Sequence, residues 1–232
     1  MITIRRSDER GDTSIDWLKS KHSFSFGDYY DPANEGFGPL RVINEDWIKG
    51  GAGFPPHPHR DMEIVTYILD GAISHRDSSG GGGTIRPGEI QRMSAGHGIT
   101  HAEFNASASE TCHLLQIWIV PSKKGITPGY EQKVIDQAAV HNHFARIAAP
   151  EPVANEVRLV QDAEIWAARL EVDIEALHAL APGRKAWLHV ARGDVTVDGQ
   201  ILAAGDAAAI TDQESIAVRS LTAAEVLIFD LG

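Results

Sequence analysis

The sequence predicts an all-β fold built as two tandem copies of one small β-barrel. Three observations predict it. Short runs rich in Val, Ile and aromatic residues recur between Gly- and Pro-containing turns, at the spacing of a barrel or sandwich. Long helical periodicity is scarce. An internal repeat runs through the chain: YILDGAISH then TIRPGEIQRM in the first half, HVARGDVTVDG then ILAAGDAAAI in the second. The repeat aligns Gly71 with Gly193 and Gly88 with Gly205.

In chain order, the first copy is expected to hold strands at LRVINEDWI, MEIVTYILD, AISHRD, TIRPGEIQRM and CHLLQIWIV. The second holds AWLHVARG, DVTVDG, ILAAGDAAAI, SIAVRS and AEVLIFDL. SSGGGG (78–83) reads as a flexible hairpin loop, since glycine supplies the turn conformations other residues resist. DWLKSKH (16–22) and DIEALHAL (173–180) are each expected to give a turn or two of helix. The weakly patterned stretch from about Gly125 to Asn155 marks the boundary. That gives an N-terminal domain at 1–135, a connection at 136–155 and a C-terminal domain at 156–232.

Charge excludes some functions. A formal net charge of −11 repels nucleic-acid phosphates, so direct nucleic-acid binding is not expected. MITIRRSDERGD has no apolar core of signal-peptide length, and no run approaches the roughly 20 apolar residues that span a bilayer. The expectation is a cytoplasmic protein with no membrane partner. The single cysteine, Cys112, heads the apolar run CHLLQIWIVP and reads as a buried structural thiol.

The chemistry concentrates in FPPHPHRDME (54–63). On a strand, positions i and i+2 share a face, so His57 and His59 would aim both imidazoles at one point. Pro58 has no N–H for a ladder, which puts this segment at a strand start or a sheet edge. With 11 histidines in the chain, one His-x-His arises by chance about once in every two such sequences. His141-Asn142-His143 is such a case, read as a surface connection with no ligand role. A second cluster, GHGITHAEFN (96–105), pairs His101 with Glu103 at the same spacing. Two such pairs on neighbouring strands bring three imidazoles and one carboxylate to an interior point. Nitrogen and oxygen donors without thiolate suit Fe(II), Mn, Ni or Cu(II) better than structural zinc. They also leave coordination positions open, as a reactive site requires.

Gly51-x(5)-His57-x-His59-x(3)-Glu63, closing at Gly71, resembles the first cupin motif, and Gly98-x(2)-His101-x(3)-Asn105 resembles the second. The blocks HSFSFGDYYDP (22–32), HPHRDMEIVTYILDG (57–71), HRDS (75–78) and MSAGHGITHAEFN (93–105) resemble, more narrowly, the pirin family in its bacterial quercetinase-like branch. The likeness is strong over about the first 130 residues and looser beyond. It implies a bicupin of two jelly-roll barrels with one mononuclear divalent metal in the N-terminal barrel. Iron is the family's usual metal; Mn, Ni, Cu or Zn are alternatives. The family's ligand pattern falls on His57, His59, His101 and Glu103. The general cupin acid sits in the first motif, whereas in pirins it moves to the position of Glu103. Glu63 is therefore either a residue that orients a ligand imidazole or a structural one.

Other histidines carry less. His97 lies in a glycine turn outside the ligand register; His75 is expected to hydrogen-bond within a hairpin, and His113 to pack within its strand. His22 with Phe24, Phe26 and Tyr30 forms either an aromatic pocket wall or a patch closing the barrel. In the second copy the offsets of the four ligands land on Ala179, Ala181, Val218 and Ser220, so that copy is expected to be metal-free. The resemblance implies a dioxygenase acting on flavonols such as quercetin, cleaving the central ring with release of carbon monoxide. Glu103 serves there either as the base toward the flavonol hydroxyl or only as a ligand. The alternatives are a metal- or redox-dependent regulator acting through a protein partner, and another cupin enzyme, an isomerase or decarboxylase, on the same cage.

Overall fold

The computed structural model describes residues 1–232, and the chain divides into two compact units. Gly11–Ile135 and Glu151–Gln161 form the N-terminal unit; Met1–Arg10, Asp136–Pro150 and Asp162–Gly232 form the C-terminal one. The first ten residues thus leave the expected 1–135 span. The strand Ile2–Arg5 pairs with Ala207–Ile210, which satisfies both backbones.

In the N-terminal unit a seven-stranded antiparallel sheet runs in the order Gly129–Val134, Glu89–Ser94, Glu63–Asp70, Cys112–Ile119, Leu40–Ile48, Leu18–His22, Gly11–Ser14. A four-stranded sheet runs Gly53–His59, Ile99–Asn105, Ile73–Asp77, Gly82–Ile85. The C-terminal unit repeats the plan with the four-stranded sheet Glu175–Ala179, Ser215–Ser220, Val195–Val197, Gln200–Leu202. This is the predicted bicupin jelly roll, with open sheets rather than closed barrels. Each expected strand forms, but TIRPGEIQRM and ILAAGDAAAI each split in two around a turn. Gly82 and Gly83 of the expected loop join a strand.

Both segments expected to be helical are strands. Leu18–His22 and Glu175–Ala179 bury alternate residues, Leu18, Ser20 and His22 in one and Ala176 and His178 in the other. A short segment beside an unpaired strand edge gains ladder hydrogen bonds that an isolated helical turn lacks. The one helical turn is the 3₁₀ segment Ser7–Glu9.

The repeat is visible in the backbone. Gly71 and Gly193 have φ of 74° and 73°, and Gly88 and Gly205 have 86° and 85°. A side chain in this left-handed region is strained. At Gly71 a Cβ would also stand 3.0 Å from the Thr111 carbonyl oxygen and 3.1 Å from Cys112 Cα. Gly71→Ala is expected to cost about 2 kcal/mol in chemical denaturation; a loss below about 0.5 kcal/mol would show that the turn tolerates a side chain.

The C-terminal core is continuous, running through Leu170, Leu188, Val190, Val218, Val226 and Ile228. The N-terminal core is split into a cluster around Ile48, Ile68 and Leu114 and another around Ile64, Met93 and Ile99. A cavity opens beside these clusters, and it holds the candidate site.

Candidate metal centre

Strict alternation builds the site. Ile99, His101, Glu103 and Asn105 are buried while Thr100 and Phe104 are exposed, so His101 and Glu103 share the inner face as their spacing predicts. His101 stands opposite His57 in the antiparallel ladder, with Pro58 opposite Thr100. Gly53–His59 is an edge strand, the position that tolerates prolines. Between His101 and Glu103 the register shifts, bringing Glu103 opposite Phe54.

The three imidazoles converge. Ring centroids lie 4.8 Å apart for His57 and His59, 4.4 Å for His57 and His101, and 4.8 Å for His59 and His101. Their nitrogen atoms fall within 4.8 Å of one another. A second group within the same limit joins His101 to His75 and Glu103, so His101 is common to both. Glu103 accepts hydrogen bonds from Gln116 Nε2 at 3.1 Å and Thr66 Oγ1 at 3.5 Å, both from the facing sheet.

Protonation states suit a cation. Burial, with the charge of His57 adding to it, pushes His59 down to about 4. Burial also pushes His101 down to about 4, against the opposing charge of Glu103. Both rings are therefore neutral at pH 7 and carry lone pairs, and the buried Nε2 of each has no protein partner. His57 Nδ1–H donates to the Pro55 carbonyl at 2.8 Å, which leaves its Nε2 as the free donor atom. Burial alone would raise the Glu103 carboxyl, but hydrogen bonding from His75 and the neighbouring imidazoles hold it below its ordinary value. Three converging imidazoles, with the Glu103 carboxylate grouped beside His101, are a fitting donor set for a divalent transition metal.

His75 forms its expected hairpin contact, Nε2–H donating to Asp77 Oδ2 at 3.2 Å, but its Nδ1 also lies 3.4 Å from His101 Nδ1 and 3.9 Å from Glu103. Burial opposes its protonation, yet Glu103 and Asp77 outweigh that and raise its pKa. Glu63 is fully buried and accepts from Val160 N–H at 3.2 Å and from Ser94, away from the imidazoles. His97 is exposed. His113 bonds Glu45 at 2.9 Å and stacks on Trp47 at 4.4 Å. His141 and His143 lie at the surface.

The cavity measures about 330 Å³, within the roughly 300–1,000 Å³ typical of small-molecule sites. Of the expected aromatic wall, His22 and Phe26 line it, whereas Phe24 is buried in the core and Tyr30 is 70% exposed. Sequence reasoning missed Trp118, which packs edge-on against both Phe26 (5.4 Å) and His59 (4.9 Å). It also missed Asn44, Asp46 and Gln116. The signal was present: these are polar residues at inward positions of apolar strands, where a buried polar group is the informative observation.

Cys112 is fully buried, and burial pushes its thiol up to about 12. Native protein is expected to resist a disulfide-exchange reagent for hours and to react fully once denatured; rapid native labelling would contradict the packing.

Comparison with known proteins agrees with this architecture. Residues 3–119 match the family Pirin, and residues 146–231 match the Quercetinase C-terminal cupin domain. The chain is 44% identical over 231 residues to the quercetin 2,3-dioxygenase of Escherichia coli K12, covering 100% of this chain and 99% of that protein. A pirin-like protein of Caulobacter vibrioides is 41% identical over 231 residues, covering 99% of each. Among solved structures, a bacterial pirin from Escherichia coli, YhhW, in complex with nickel(II), superimposes with a TM-score of 0.94 at 43% identity, covering 100% of this chain and 99% of that one.

Proposed function

The chain belongs to the pirin family, and from that premise we propose that it is a metal-dependent flavonol dioxygenase of the quercetin 2,3-dioxygenase type. The observation that carries this reading is the convergence of three imidazoles on an aromatic-walled cavity of small-molecule size. A regulator acting through a protein surface has no need of such a cavity. The relatives named as quercetin 2,3-dioxygenases support the substrate class.

In this reading His57, His59, His101 and Glu103 hold one divalent metal, with Fe(II) the first candidate and Mn, Ni, Cu or Zn the alternatives. Such an ion supplies Lewis-acid polarisation of a chelating substrate oxygen and redox coupling to dioxygen. The protein does the rest. Gln116 and Thr66 hydrogen-bond the Glu103 carboxylate and fix its orientation as a ligand. Trp118 and Phe26 present ring faces and edges to a flat aromatic substrate. Leu18, Phe54 and Ile64 add apolar surface to the lining.

Purified metal-replete protein in air is expected to consume quercetin, with carbon monoxide released. The same protein under nitrogen, or treated with a chelator, is expected to leave it intact. Elemental analysis should find one transition-metal ion per chain. Quercetin stable for hours in air with metal-replete protein would overturn the proposal.

A further inference from the structure

The imidazoles belong to the four-stranded sheet, and the facing sheet brings a titratable group of its own to the same cavity. The strand Leu40–Ile48 turns Asn44 and Asp46 inward, and Ser20 and His22 stand beside them on Leu18–His22. Hydrogen bonds tie this row together. His22 Nδ1–H donates to Asn44 Oδ1 at 2.8 Å, and the Thr13 hydroxyl donates to His22 Nε2 at 2.9 Å. Ser20 Oγ lies 3.4 Å from His22 Nδ1 and donates to Asp46 Oδ1.

Asp46 is buried, at 3% exposure, and the Ser20 hydroxyl is its one hydrogen-bond donor. No Lys or Arg pairs with it, and Oδ2 has no protein partner. An uncompensated carboxylate there is costly, and a purely structural position would be served better by Asn or Ser. The ionisable groups around it are His22 on one neighbouring strand, Cys112 on the other, Glu45 on its own strand, Glu103, His57, His59 and His101 from the facing sheet, and Asp28 in the cavity wall. Burial pushes the Asp46 carboxyl up to about 7; the Ser20 hydrogen bond opposes this, and the charges of Glu103 and Glu45 add to it. Such a carboxyl exchanges protons at neutral pH.

We infer that Asp46 is a further catalytic residue, whose Oδ2 takes the proton of the enolic hydroxyl of a flavonol held in the cavity. The inference rests on the flavonol reading above. In this step the substrate O–H bond breaks and its electron pair stays on the substrate oxygen. A new O–H bond forms on Oδ2, and the carboxylate becomes a neutral acid. No electrons are exchanged, and the proton later passes to the product carboxylate or to water. Two facing carboxyl groups thereby divide the work, Glu103 toward the metal and Asp46 toward the substrate proton.

The test uses metal-replete protein and quercetin, with two readouts. In air, Asp46→Asn is expected to retain its metal and its quercetin Kd within about threefold while kcat falls about 10²-fold or more. Under nitrogen, the absorption spectrum of bound quercetin is expected to show the flavonolate above about pH 7 in the wild type and the neutral flavonol in Asp46→Asn. Ser20→Ala keeps the acid but removes its hydrogen bond, so the pH at which bound quercetin ionises should rise; a merely structural Ser20–Asp46 contact would leave it unmoved. This second variant decides the matter if Asp46→Asn fails to fold. Wild-type kcat in Asp46→Asn, or an ionisation pH unchanged in both variants, would overturn the assignment. Should wild-type protein leave quercetin unoxidised in air, the dioxygenase reading fails, while the anaerobic spectra still decide the role of Asp46.

Discussion

His101→Ala is expected to strip the metal and abolish turnover while leaving the fold in place. His101 belongs to both groups of potential ligands, and its Nε2 is buried with no protein partner. Loss of a residue that only supports a ligand weakens metal binding 10–100-fold, so loss of a ligand should exceed that, by about 10³-fold. After dialysis, elemental analysis should find less than about a tenth of an ion per chain. The cost to the apo fold is small, since the unpaired Nε2 is removed along with one long contact to His75; Tm of the metal-free forms should agree within about 3 °C. His113→Ala, on the outer face, should keep its metal. Full occupancy in His101→Ala would remove this residue from the ligand set. The same variant has a signature in acid. His101 has a folded pKa near 4 against an ordinary 6.5, so the unfolded state binds the extra proton. Its stabilising contribution is present above pH 6.5 and is lost as pH falls toward 4, so metal-free His101→Ala should lose less stability over that window than metal-free wild type.

The second large effect is structural and lies in the C-terminal unit. Arg184 donates through Nε to Asp230 Oδ1, through Nη2 to the Asp230 carbonyl at 3.0 Å, and through Nη1 to Asp162 at 2.8 Å. His178 Nε2 meets the other Asp230 oxygen at 2.9 Å. Arg184→Ala leaves a buried carboxylate with the imidazole alone, and is expected to cost about 3 kcal/mol at pH 7. Burial would raise the Asp230 carboxyl, but His178 and Arg184 outweigh it and hold it low. With a depressed folded pKa, the stabilisation is present above the ordinary aspartate value of 3.8 and is lost as pH falls through the folded one. The difference between variant and wild type should therefore shrink from pH 7 to pH 3. Denaturant melts at both pH values check this; a variant within about 0.5 kcal/mol of wild type at pH 7 would show the cluster to be energetically idle.

By itself the sequence determined whatever depends on local period and spacing. Two-residue spacing put His57 with His59 and His101 with Glu103 on inner faces, because successive side chains on a strand alternate. The glycine pairs 71/193 and 88/205 marked equivalent turns, because only glycine enters that conformation without strain. Tertiary structure alone decided the rest. Leu18–His22 and Glu175–Ala179 became strands because Leu40–Ile48 and Ser215–Ser220 offered them partners, Leu18–His22 also pairing with the nearby Gly11–Ser14. Ile2–Arg5 joined the C-terminal unit for the same reason, pairing with residues some two hundred positions later. The cavity wall of Ser20, Asn44, Asp46, Gln116 and Trp118 comes from three strands brought side by side by the ladder. No short-range pattern encodes which inward residues of separate strands will face one another, since that depends on long-range register, and register is settled only when the whole sheet pairs.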